Sequence, residues 1–106
     1  KILSKHSGYG LISYSEMIDD SMSPEIEQGD KLILTPVYKF EKNYGISFGS
    51  LYCFKGGDVR RIVKTGDLRE DTVLLMPINH TKWPSAEVKI KDIELIGEVI
   101  GVVKAL

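Results

Sequence analysis

This chain of 106 residues lacks what disulfide, metal and membrane chemistry would need. Its one cysteine, Cys53, cannot form an internal disulfide, and between Tyr52 and Phe54 it reads as a small buried hydrophobe in a reducing compartment. The two histidines, His6 and His80, are far apart, and no His-x-x-x-His or Cys-x-x-Cys pair exists, so neither a metal nor a cofactor is expected. The longest apolar stretches, Lys31 through Leu34 and Ile93 to Leu106, are broken by charge or glycine well short of the ~20 residues of a membrane span. A soluble, cytoplasmic chain is expected. Excess positive charge is also missing: 14 Lys plus Arg stand against 15 Asp plus Glu, a net charge of −1. Gripping a phosphate backbone requires several unbalanced cations, so any DNA binding belongs to another part of the protein. Gly8-Tyr9-Gly10 and Gly56-Gly57 lack the Lys-Ser/Thr of a phosphate loop and read as turns.

What the chain does have is alternation with a period of two. Leu11 to Ile18 reads as an extended segment with a partly buried face, Ile12, Tyr14, Glu16 and Ile18 sharing one side. Lys31 to Val37 is a short strand ended near Pro36, and Tyr38 to Phe48 a polar connection with scattered aromatics. Gly49 to Lys55 and Val59 to Thr65 flank Gly56-Gly57-Asp58, a hairpin signal. A second hairpin turns through Gly66 to Asp71 into Thr72–Met76. Ala86 to Ile90 alternates again, Lys91-Asp92-Ile93 reads as a turn, and Glu94 to Leu106 is an apolar strand covered on both faces or paired across an interface. Strands spaced by roughly ten residues, with almost no helical pattern, predict one small, strongly bent, mainly β domain.

One segment carries candidate chemistry. In Asp20-Ser21-Met22-Ser23-Pro24, continuing to Gly29-Asp30, a strand breaks into a turn. A serine at such a break can expose its hydroxyl as a nucleophile while backbone amides, that of Met22 among them, face a developing oxyanion. The alternative is that Ser21 or Ser23 merely caps a helical turn beginning at Pro24.

Ser21-Met22-Ser23-Pro24 followed by Gly29-Asp30 and a β run resembles the nucleophile segment of LexA-type and phage-repressor-type self-cleaving domains, whose fold is shared with type I signal peptidases. Further segments are similar in the same order: Gly49-Ser50-Leu51-Tyr52, Val59-Arg60-Arg61-Ile62, Leu74 to Asn79 with Pro84, and Ile96-Gly97-Glu98-Val99-Ile100-Gly101. The resemblance implies a LexA/signal-peptidase-like fold and a Ser-Lys dyad, in which a desolvated, neutral lysine removes the serine proton. Within the matching strand the lysine's place is taken by Arg60. A guanidinium stays protonated and cannot act as a general base. An alternative register makes Lys64 the base, on the same strand face and 15 positions before Asn79. The self-cleaving relatives cut an Ala-Gly or Cys-Gly bond upstream of the serine; here the nearest glycine-containing pairs are Ser7-Gly8 and Tyr9-Gly10.

Two functional expectations follow from the resemblance. The first is that residues 1–106 form the dimerising, regulatory C-terminal domain of a LexA-like or phage-type repressor, with self-cleavage lost at Arg60 and the segment near Ser7–Gly10 a possible occupant of the cleft. On that expectation a missing N-terminal domain reads DNA and the Glu94–Leu106 strand pairs two subunits. The second is an active serine peptidase, self-cleaving or signal-peptidase-like, using Ser21 and Lys64. A polymerase-accessory relative of the same fold is a third possibility.

Overall fold

The computed structural model describes residues 12–40, 43–65 and 71–105. Among these the period-two segments become nine strands: β1 (Ser13–Glu16), β2 (Lys31–Pro36), β3 (Lys39–Phe40), β4 (Asn43–Tyr44), β5 (Leu51–Phe54), β6 (Val59–Lys64), β7 (Thr72–Met76), β8 (Ala86–Lys89) and β9 (Leu95–Val103). Seven of them form one antiparallel sheet in the order β1-β2-β9-β5-β6-β7-β8. The domain is therefore mainly β, as the alternation predicts.

The sheet bends where registers slip. Against β9, the pairing shifts between Ile33 and Leu34 and again between Cys53 and Phe54. An extra residue on one strand of a pair bends that strand and increases its twist, which lets a single sheet cover two cores. Met17, Met22, Ile26, Leu32, Leu34, Cys53 and Val59 form the first core. Tyr52, Phe54, Ile62, Val73 and Ile93 form the second. Cys53 and its partner Val59 face the first, while Tyr52 lies opposite Arg60 and Ile62 opposite Leu75 on the other side. Cys53 is fully buried and its thiol is pushed up by desolvation, in keeping with a packing role.

Two local readings change, and a third, the single turn near residue 91, is borne out. The Tyr38–Phe48 connection contains the two-stranded ribbon β3–β4, because a polar segment can still pair locally with itself. The expected single turn near residue 91 is a 3-10 turn at Ile90–Asp92. The apolar side of the first strand faces outward: Ile12, Tyr14 and Ile18 are exposed, whereas neighbouring Met17 is buried. β1 is an edge strand paired only with β2, and the core beneath is already filled by Leu32 and Leu34. Leu11, the tip of the hairpin expected at Gly66–Asp71 and the Ser7–Gly10 segment lie outside the described residues.

Two constraints tie the neighbouring strands β2 and β9 together. Gly97 lies where β9 passes β2, and a Cβ there would meet the Thr35 carbonyl oxygen at 2.6 Å. Asp30, only 2% exposed, accepts hydrogen bonds from the amides of Glu27 (2.9 Å) and Ala105 (3.0 Å) and from Lys104 Nζ (2.8 Å). The Lys104 ammonium foremost, with the two amides, holds the Asp30 carboxyl down at about 2.

Gly97→Ala is expected to cost about 1–3 kcal/mol of unfolding free energy in urea denaturation, since backbone rather than a flexible side chain must yield. The lowered pKa makes the contribution of Asp30 full above the ordinary carboxyl value of 3.8 and lost as pH falls through about 2. Asp30→Asn should therefore lower the melting temperature at pH 7, with the gap to the parent protein closing under strong acid.

Candidate functional site

Residues 17–30 leave the sheet as a loop closed at its base by Met17 N–H to Asp30 O (2.8 Å) and Gly29 N–H to Met17 O (2.9 Å). Met22 and Ile26 are buried in the first core, and the Ile26 amide donates to Met22 O at 2.9 Å, closing a hydrogen-bonded turn rather than the helical turn that the Ser-Pro sequence suggested. The Ser23–Pro24 peptide bond is cis. At the head of this turn the Ser21 amide donates to Asp19 Oδ1 (3.0 Å). The Ser21 carbonyl accepts from both Ile78 (3.1 Å) and Asn79 (2.9 Å). Asn79 Nδ2 donates in turn to Asp20 O at 3.1 Å, so the residues after β7 clasp the serine turn from outside.

The Ser21 hydroxyl does not cap the turn. It accepts a hydrogen bond from Arg60 Nη1 at 2.9 Å, and the same nitrogen donates to Val59 O at 2.7 Å. Ser21 has no exposed surface, and the guanidinium lies against its oxygen. Trp83 contributes from the other side: the Arg60 guanidinium lies 5.5 Å from its ring centroid, within cation–π range. The ring is itself fixed by Asp20, whose Oδ1 accepts from Trp83 Nε1 at 2.8 Å while Oδ2 accepts from Lys82 Nζ at 3.0 Å. Those bonds, that from Trp83 first and that from Lys82 next, keep the Asp20 carboxyl below its ordinary range.

Arg60 also lines a cleft of about 650 Å³ whose apolar walls include Phe54, Leu75, Trp83, Val88 and Ile93. Lys55, Asp58, Asp92 and Glu94 supply its charged lining. Among the described residues no cluster of His, Cys, Asp or Glu could hold a metal ion, and no helix is long and apolar enough to cross a membrane.

The chain belongs to the Peptidase S24-like family, whose model matches residues 12–100. It is a LexA-like domain, and the match takes in the serine loop, Arg60, Lys64 and most of β9. No curated protein matches the chain.

Of the residues singled out in this S24-like domain, Ser21 and Arg60 meet. Lys64 does not join them. It lies at the exposed far end of β6, four residues beyond Arg60, which at about 3.3 Å per residue is roughly 13 Å along the strand. Met22 is fully buried in the first core, and its amide makes no backbone hydrogen bond among the described residues. Arg61, on the opposite strand face, donates to Gly49 O. Sequence reasoning missed Trp83 and Asp20. Their only local signals were a lone tryptophan beside Pro84 and an acid beside the serine, and their pairing joins segments distant in the chain.

The Arg60 guanidinium gives the Ser21 hydroxyl a hydrogen-bond donor and a positive charge, and it is not itself a general base. Ser21→Ala should therefore lower stability by about 1–3 kcal/mol in urea denaturation, because a charged donor loses its buried acceptor. Asp20→Ala should free the Trp83 ring, moving its emission to longer wavelength and lowering its anisotropy; Lys82→Ala should leave the Nε1 bond and the emission unchanged.

Proposed function

We propose that this S24-like chain is the dimerising and regulatory domain of a LexA-like or phage-type transcriptional regulator in which self-cleavage has been lost. One observation carries the reading. Arg60 makes the 2.9 Å hydrogen bond to Ser21 Oγ, where the family's mechanism requires an uncharged lysine amine. Because the guanidinium holds its proton, the serine cannot be activated by the group that touches it. The burial of Ser21 works in the same direction, since a hydroxyl with no exposed surface is closed to a scissile carbonyl as it stands.

Pairing of two copies is supported by the exposed apolar residues of β1 and β9, namely Tyr14, Ile96, Ile100 and Val103. Burying such residues between copies would remove from water surface that the sheet alone leaves uncovered. DNA is assigned to a separate basic domain, consistent with the net charge of −1 of these 106 residues.

Incubation of the protein at alkaline pH, followed by intact-mass measurement, should show no fragment in either the parent chain or Ser21→Ala. Fragments that vanish in both Ser21→Ala and Lys64→Ala would identify an active peptidase with Lys64 as its base and overturn this reading.

A further inference from the structure

We propose that the cleft beside Arg60 binds the free C-terminal carboxylate of a peptide that ends in an aliphatic residue. This rests on the reading that Arg60 has displaced the base. The first observation is the state of the guanidinium. Nη1 uses its two hydrogens on Ser21 Oγ and Val59 O, while Nη2 and Nε have no acceptor among the described residues. No carboxylate among the described residues forms an ion pair with Arg60. A guanidinium held by two hydrogen bonds and an aromatic face has lost its conformational freedom before any ligand arrives, so its remaining donors are preorganised for one.

The second observation is the cleft that this group lines. Its apolar walls, Phe54, Leu75, Trp83, Val88 and Ile93, suit an aliphatic side chain, and a volume of about 650 Å³ accommodates two or three residues. A planar carboxylate matches the fork of an arginine better than a phosphate's tetrahedron fits so apolar a surround, and a C-terminal residue presents carboxylate and side chain from one carbon. Asp58, Asp92 and Glu94 in the same lining favour a basic residue just ahead of the last one and disfavour a multiply charged anion.

Trp83, the single tryptophan, is at once cleft wall and reporter. Titrating the protein with N-acetyl-Lys-Leu as the free acid should change Trp83 emission saturably. The same dipeptide with an amidated C-terminus should bind about tenfold or more weakly. Arg60→Gln, with its fold verified by circular dichroism, should abolish this preference, and Arg61→Gln should retain it. Equal binding of acid and amide, tighter binding of the amide, or no binding of either overturns the carboxylate assignment and leaves the loss of cleavage standing. Ser21-dependent fragments in the alkaline incubation would instead overturn the reading beneath it.

Discussion

The carbonyl oxygen of Ser21, accepting from the amides of Ile78 and Asn79, joins the serine loop to the segment that follows β7. The loop itself has little regular structure with which to satisfy its backbone. A buried carbonyl without donors would be costly, so two amides from a distant segment both satisfy it and fix where the loop sits. Once that clasp is made, Asp20 is carried beside Trp83 and Lys82, Trp83 comes over Arg60, and Arg60 lies against the serine hydroxyl.

The loop is anchored at its other end by charge. Asp30 is enclosed, yet its carboxylate receives two amides and an ammonium, and one of the amides and the ammonium come from the residues after β9. Because those partners hold the ionised form, the last strand and the serine loop are held together as one unit. The two bulges in β9, opposite β2 and β5, complete the frame by letting one sheet pack a core on each side. The result is a peptidase fold whose serine hydroxyl accepts a hydrogen bond from a guanidinium, next to a cleft that the same arginine lines.

Much of this was legible in the residues. Period-two alternation, the Gly56-Gly57 turn and the order of the family-like segments predicted the mainly β domain, and Arg60-Arg61-Ile62 pointed to Arg60 rather than Lys64 as the residue beside the serine. The outward-facing side of β1 was not legible, because an edge strand's exposure depends on what else fills the core beneath it. Nor was the role of Trp83 or Asp20. A hydrogen bond between residues 20 and 83 leaves no periodic trace, and either side chain alone is chemically ordinary.

By itself, then, the sequence determined the mainly β fold class and pointed to Ser21 and to Arg60, a permanent cation, because strand alternation and the chemistry of a side chain are local properties. Only the tertiary structure decided that the Ser21 hydroxyl accepts from Arg60 instead of capping its own turn, that Lys64 stands well away along β6, and that Trp83 walls the cleft. Those outcomes depend on strand register and on the clasp between Ser21 and residues 78–79, and both are set by packing between segments far apart in the chain.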